Sequence, residues 1–270
     1  MCRKVDQLPL AKFILENYPY SWVYGGFMRW LVTYYEENHD TPSIQDIHKI
    51  LSQRDMDIRI RSNPDMEKFH PSSIMDDVYT KVRELSGRME YAGDFYAGCL
   101  PSKSDKNRWR YGNYMVWIPN PDGTTYQRYD ICIHSQAAHS IVTDFSVNNI
   151  QYNNALGITY DEHRDITEVL HDIRNSVMAN SNYDFKKIYR GAKLWKQGYK
   201  IPDSDRYRMK EMINLYIDSD WVAFLIYEDD MSVPSVIGGD QDVIYSTKYI
   251  PTIVTKDVFL NNAFVKYLLS

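Results

Sequence analysis

The sequence predicts an α+β fold, a mixed β-sheet backed by helices, and three local patterns carry that prediction. Trp22-Val23-Tyr24 reads as a short strand that turns through Gly25-Gly26 into a breaker-free stretch, Phe27 to about Tyr35, apolar at helical spacing. In Asp55-Met56-Asp57-Ile58-Arg59-Ile60 successive side chains alternate between faces, so Asp55 and Asp57 share one face of a strand and Met56 and Ile58 the other. Val116 to Ile133 reads as a hairpin turning at Pro121-Asp122-Gly123, with Asp130 the single acid on its aromatic and β-branched second arm.

The remaining elements follow in order. A helix is expected near Leu10 to Asn17, and a segment holding Thr41 to Leu51 carries its own helix start, with Pro42 just inside a capping Thr41. That segment is expected to pad the surface or, alternatively, to cover a site. Pro71 to Leu85 reads as a helix starting at Ser72 or Ser73, and Met89 to Ala97, Tyr111 to Ile118 and Tyr126 to Ile133 read as strands. Helices are expected over 164–180, 184–197 and Arg206 to Tyr216, and Trp221 to Tyr227 has strand character. Two regions result, 1–160 around the sheet and a mainly helical 161–270, with no internal repeat and no low-complexity linker.

At 270 residues, 44% hydrophobic and 25% charged, the chain is long enough for one large or two small domains with a substantial core. No apolar run reaches membrane-spanning length and the N-terminus lacks a signal-peptide pattern, so a cytoplasmic protein without a membrane partner is expected. Cys2, Cys99 and Cys132 lie far apart, which suggests a reducing compartment and argues against a zinc site. A net charge of −5 argues against extended non-specific tracking along nucleic acid. Locally, Lys186, Lys187, Arg190, Lys193, Lys196 and Lys200 crowd one helical segment between Tyr189, Trp195 and Tyr199; Lys103, Lys106, Arg108 and Arg110 form a second basic cluster. His171-Asp172 is read as an exposed helix step, Glu228-Asp229-Asp230 as a surface turn, and Gly238-Gly239 is given no role.

The chemistry suggested by the first two patterns is anion and cation binding side by side. Glycines at a strand-to-helix turn let the backbone approach a ligand closely, and a helix start presents free N–H groups and the positive end of its dipole to phosphate. Arg29 would face the same anion. An ordinary tight turn would use the same glycines, and a solvated strand face the same aspartates. Two carboxylates this close repel one another unless a cation lies between them, and hard oxygen ligands suit Mg²⁺. A two-metal site needs a third carboxylate from a neighbouring strand, a position that Asp130 is placed to fill.

These elements resemble the head domain of the bacterial-type poly(A) polymerase and tRNA CCA-adding nucleotidyltransferase family, within the DNA polymerase beta superfamily. That family shows a Gly-Gly-x-x-Arg-Asp helix start, an Asp-x-Asp strand, a third carboxylate and then Arg-Asp-Phe-Thr-x-Asn, to which Val142 to Ile150 is similar. Tyr183 to Ile201 resembles its Glu-Asp-x-x-Arg-x-x-Arg-Ala-x-Arg-Phe helix and Leu-Gly-Phe ending, so four elements agree in order over residues 22 to 203. The resemblance implies a nucleotidyltransferase head followed by a shortened, neck-like helical region. It implies that Asp55, Asp57 and Asp130 bind Mg²⁺ or Mn²⁺, with Asp130 supporting an attacking 3′-hydroxyl. Gly25, Gly26 and Arg29 would hold the triphosphate of an NTP, ATP favoured; Asp144 and Asn148 would line the nucleotide site; Asp184, Lys187 and Arg190 would face the incoming base or sugar. The implied partner is an RNA 3′ end.

Departures qualify the resemblance. Trp30 stands where the family has Asp, Thr143 where it has Arg, and Lys187 where it has Arg, and Lys does not replace Arg at a planar, bidentate site. Altered or relaxed nucleotide choice is expected. Nucleotidylation of a protein or small molecule, or a retired binding or scaffold subunit of the same fold, stays open, and the residues set neither acceptor nor oligomeric state.

Overall fold

The structure, a computed structural model, describes residues 2–63, 65–93, 112–134, 145–160, 166–179, 186–217, 224–229, 233–236, 243–246 and 249–270. They fall into two compact units, 1–142 with 148–167, and 143–147 with 168–270.

The first unit is built on one mixed sheet. In chain order it comprises α1 (Pro9–Asn17), β1 (Ser21–Tyr24), α2 (Gly25–Asn38), α3 (Ile44–Gln53), β2 (Asp55–Arg61), α4 (Pro71–Glu84), β3 (Arg88–Gly93), β4 (Gly112–Pro119), β5 (Tyr126–His134), β6 (Ile150–Asn153) and β7 (Gly157–Tyr160). The seven strands lie in the order β3-β4-β5-β2-β1-β6-β7. Only β2 and β5, at the centre, run parallel; every other neighbouring pair is antiparallel.

Strand alternation gives the sheet two unlike faces. Met56, Ile58, Ile60, Tyr129, Ile131, Ile133, Val116 and Val23 occupy one, all buried. Helix α4 covers part of it, since Val82 and Ile118 both stand against Gly87, where a Cβ would meet Ile118 Cδ1 at 2.4 Å. Burial of eight such side chains, each contributing about 1.5–3 kcal/mol, is what fixes the register, because a one-residue slip would turn them all to the polar face.

Local chemistry sets the helix ends, and two of them differ from expectation. The α3 cap is Ser43, not Thr41: the Ser43 hydroxyl accepts from the Asp46 backbone N–H at 3.1 Å while the Asp46 carboxylate accepts from the Ser43 N–H at 3.0 Å. This reciprocal box satisfies two helix-end donors at once, which a lone Thr41 cap does not, and Pro42 falls before the cap. Nor does α3 pad a surface, because Ile47 and Leu51 are fully buried and the helix packs on β5. Ser43→Ala is expected to cost about 1 kcal/mol, read as a lower urea midpoint with an unchanged slope. Helix α4 begins one or two residues earlier than expected, at Pro71, capped by the His70 ring accepting from the Ser72 N–H.

The β4–β5 turn is held by Asp122, whose carboxylate accepts from Thr125 Oγ1 at 2.7 Å and from the Thr124 and Thr125 N–H groups at 2.9 and 3.0 Å. Those bonds pull its pKa down to about 2. The β6–β7 hairpin was not anticipated; Asn153 organises it, donating to the Pro19 and Ser21 carbonyls and accepting from the Ala155 and Leu156 N–H groups.

Two buried tyrosines fix the alkaline limit of stability. Burial raises the Tyr129 phenol above its usual range; burial, then the bond it donates to Asp77 at 2.8 Å, does the same for Tyr18. A folded-state pKa above the unfolded value contributes stability that is complete below about pH 10 and declines as pH rises beyond it. The pH dependence of the urea midpoint is expected to fall off above pH 10, and less steeply in Tyr129→Phe.

The second unit holds α5 (Ile166–Arg174) from Glu168 onward, α6 (Lys186–Lys196), α7 (Asp203–Ile217), β8 (Phe224–Asp229), β9 (Val233–Val236), β10 (Val243–Ser246), β11 (Tyr249–Val254), α8 (Lys256–Asn261) and α9 (Ala263–Leu269). Helix α5 stops at Arg174, short of the expected 180, and Val177 instead bridges to Lys200. Strands β8 and β11 pair, with β9 and β10 nested inside them, so a two-part hairpin interrupts what was expected to be mainly helical. Glu228 and Asp229 lie in β8 rather than in a surface turn, while Asp230 and Gly238-Gly239 lie outside the described residues. Gly191 lets α6 approach closely, since a Cβ there would meet Phe264 at 3.0 Å and Phe145 at 3.2 Å. His171 is exposed as expected, but the Asp172 side chain is only 13% exposed and accepts from the Ser146 hydroxyl.

Candidate functional site

The polar face of the first unit's sheet is a grid of charged side chains. Parallel pairing of β2 with β5 sets Asp55 opposite Arg128, Asp57 opposite Asp130, Arg59 opposite Cys132 and Arg61 opposite His134, all on one face. β4 adds Trp117 beside Arg128 and Met115 beside Asp130; β1 adds Tyr24 beside Asp57 and Trp22 beside Arg59. Asp55, Asp57 and Asp130 are each half-buried. Neighbouring strands lie about 4.8 Å apart, so the Asp57 and Asp130 backbones are one strand spacing from each other.

Asp57 also adjoins the helix start. β1 ends at Tyr24, paired with Asp57, and the chain turns at Gly25 with φ +73° into α2. A Cβ on Gly25 would stand 2.5 Å from Asp57 Oδ2 and 3.3 Å from its Cγ, so the glycine is what lets the carboxylate lie against the first residue of the helix. Arg29, 6% exposed, lies on the next turn of α2 and donates to Asn148 Oδ1. Its Nη2 is 3.9 Å from the place a Gly26 Cβ would take, which brings Gly26, Arg29 and Asn148 together.

Two arginines balance the acids. Arg128, 3% exposed, has its charge opposed by burial and supported by Asp55 across the strand pair. Arg59, 6% exposed, places its guanidinium over the Tyr24 ring, 5.8 Å from the centroid. Burial first, and then the Asp57 carboxylate, push the Tyr24 phenol well above its usual range, with Arg59 pulling the other way. Neither arginine was singled out from the sequence. Alternation in Asp-Met-Asp-Ile-Arg-Ile-Arg put Arg59 on the aspartate face, and that was the signal available.

The sequence-derived site residues fall into three groups. Asp55, Asp57, Asp130, Gly25, Gly26, Arg29 and Asn148 belong to the first unit, gathered around the junction of β1, β2, β5 and α2. Lys187 and Arg190 lie on α6 of the second unit. Asp144 and Asp184 lie outside the described residues, as do Thr143 and Lys103 to Arg110. Trp30, where the family resemblance would ask for Asp, takes part in an aromatic ladder along α2, its ring 5.7 Å from both Phe27 and Tyr34.

The donor chemistry of Asp55, Asp57 and Asp130 fits a hard divalent cation, since all are carboxylates on one face and two are in register. Among the described residues, though, no group of three or more His, Cys, Asp or Glu side chains is gathered as a ready cation cage. Mg²⁺ is commonly held by one or two carboxylates, with substrate phosphates and waters completing its shell, and the Asp57–Asp130 pair is suited to that mode. No helix among the described residues is long and apolar enough to cross a membrane. In comparisons with known proteins, the chain matches no protein-family model and no curated protein.

Proposed function

We propose that this chain is a divalent-metal-dependent nucleotidyltransferase, moving a nucleoside monophosphate from an NTP, ATP favoured, to an acceptor hydroxyl at an RNA 3′ end and releasing pyrophosphate. The observation that carries the reading is the register of β2 on β5, which sets Asp57 opposite Asp130 with Asp55 on the same face, while Gly25 holds the start of α2 against Asp57. Phosphoryl transfer asks a protein mainly for positioning and charge stabilisation, and these groups need no nucleophilic side chain.

Each residue then has a task. The α2 N–H groups at Gly25 and Gly26 and the Arg29 guanidinium receive the triphosphate, and Asn148 keeps Arg29 in place. Asp55, Asp57 and Asp130 would hold Mg²⁺ or Mn²⁺, which when bound supplies charge stabilisation at the phosphoryl oxygens. Asp130, on the strand farther from the helix start, accepts from the acceptor hydroxyl and orients it.

One observation favours a second reading, a catalytically retired binding subunit: Arg59 and Arg128 share the acid face, and their charges let three carboxylates coexist without a cation. An extension assay separates the two. Purified protein is given each labelled NTP in turn with Mg²⁺ or Mn²⁺ and a mixed tRNA and poly(A) acceptor pool, beside Asp57→Asn. Incorporation that the substitution abolishes supports the enzyme. NTP binding without incorporation moves the weight to a protein or small-molecule acceptor, and neither binding nor incorporation to the retired subunit.

A further inference from the structure

The polar face does not end at the acids. Beyond Asp57 and Asp130, β2 continues with Arg59 and Arg61 on the same face and β5 with Cys132 and His134, so the ladder changes from acidic to basic toward the C-terminal ends of the parallel β2–β5 pair. Arg61 and His134 are half-buried, with Arg61 Nε and His134 Nε2 covered and other atoms of each residue partly open to solvent, whereas Arg59 is nearly covered. That end of the ladder is also built firmly. Ser62, 1% exposed, donates to the His134 carbonyl through both its N–H, at 3.0 Å, and its hydroxyl, at 2.7 Å, and the Arg61 N–H donates to the Tyr20 carbonyl at 2.9 Å.

The two charge zones have one natural occupant. At about 3.3 Å per residue, Arg61 lies roughly 13 Å along β2 from Asp57. A nucleoside triphosphate placed at the α2 start has its phosphates on the other side of Asp57, toward β1, and does not need this end. A single nucleotide whose 3′ oxygen reaches Asp130 is too short to bring its own phosphate to Arg61. A short single strand does both, with its 3′ hydroxyl over the acids and earlier phosphates over the cations.

We propose that Arg61 and His134 form a subsite for the phosphodiester backbone of a single-stranded oligonucleotide acceptor, Arg59 being the fixed charge between that subsite and the acids. The subsite works as a ruler: acceptor affinity rises with length until the chain spans the ladder, then levels off. Arg61 and His134 here are positioning residues, acting on acceptor affinity and not on the chemical step. The proposal rests on the nucleotidyltransferase reading for the direction of the acceptor, and its test is independent of turnover.

The test uses the full chain and fluorescein-labelled, 3′-deoxy oligonucleotides of one to six residues, with binding read by anisotropy without NTP. Mg·ATP affinity is measured separately by calorimetry. In the wild type, affinity is expected to climb over the first three or four nucleotides and then level off. Arg61→Ala should weaken binding of the hexamer about tenfold and flatten the salt dependence by about 0.7 in log–log slope, the share of one single-strand phosphate, with Mg·ATP affinity unchanged. Arg61→Lys should restore part of the loss. His134→Gln serves as a second variant should Arg61→Ala unfold. Equal hexamer binding by wild type and a folded Arg61 or His134 variant overturns the proposal, as does affinity independent of length. Arg61-dependent binding without any nucleotide transfer would instead sink the enzyme reading and leave this subsite standing; transfer to a non-nucleic-acid acceptor, untouched by Arg61→Ala, would do the reverse.

Discussion

Asp57→Asn is expected to reduce metal-dependent nucleotide incorporation on the order of a thousandfold while leaving folding stability within about 1 kcal/mol of the wild type. The activity estimate follows from the several kcal/mol that a positioned divalent cation supplies to a phosphoryl centre, at about 1.4 kcal/mol per tenfold in rate. The stability estimate follows from opposed terms around the same side chain. Removing the charge relieves repulsion from Asp130 in the facing register position and gives up attraction to Arg59, whose guanidinium lies over the adjacent Tyr24 ring. Asn keeps the shape and the hydrogen-bonding capacity. A readout apart from turnover strengthens the test: Mg²⁺ should raise the wild-type melting temperature by mass action and leave that of Asp57→Asn unmoved. Asp55→Ala should behave differently, because Asp55 faces Arg128, which is 3% exposed and cannot recover its charge solvation in water. Stability should drop by about 1–3 kcal/mol, the usual cost of leaving a buried polar group with less to offset its desolvation. A comparable activity loss in the two variants with a stability loss in Asp55→Ala alone would separate the catalytic demand on the acids from their structural one. Full activity in Asp57→Asn would end the metal-site reading.

The features legible in the sequence are those that local physics decides. Alternation in Asp55 to Ile60 fixed the aspartate face, Pro121-Asp122-Gly123 fixed the hairpin, and the glycine pair marked the strand-to-helix turn, each within a few residues of chain. The decisive juxtaposition was only partly legible. Asp130 could be placed on a hairpin arm, but its position opposite Asp57 comes from a parallel pairing that crosses α4, β3 and β4, and no local pattern encodes which strand lies beside β2. Burial was the other hidden quantity. Arg59 and Arg128 look like ordinary exposed arginines until the sheet closes around them, and α3 looked peripheral because Ile47 and Leu51 gain their meaning only from β5. At Thr41-Pro42-Ser43 the sequence pattern points to a Thr41 cap, and the reciprocal bonds of Ser43 and Asp46 set the cap at Ser43 instead.

Gly25 and Gly26 look alike in the sequence and are expected to respond oppositely to the same substitution. Gly25→Ala meets two obstacles. Its φ of +73° costs an L-residue about 1–2 kcal/mol, and the new methyl would lie 2.5 Å from Asp57 Oδ2, so either the helix start or the carboxylate must move. If the carboxylate moves, the Asp57 oxygen leaves its place opposite Asp130; if the helix start moves, the backbone N–H groups proposed to receive the triphosphate leave theirs. In either case activity should fall at least about a hundredfold together with the loss of stability, since a displacement near 1 Å is enough for that. Gly26→Ala meets neither obstacle: its nearest neighbour would be Arg29 Nη2 at 3.9 Å, and alanine in a helix is favoured over glycine by up to about 1 kcal/mol. The melting temperature of Gly26→Ala should hold or rise. Its affinity for Mg·ATP should nevertheless fall, because a methyl there occupies the space between the α2 backbone and Arg29 that the triphosphate is proposed to enter. Calorimetric titration of both variants decides the matter. A stable Gly26→Ala with wild-type ATP affinity would place the triphosphate somewhere other than the start of α2, and would leave Gly25 as a purely structural neighbour of Asp57.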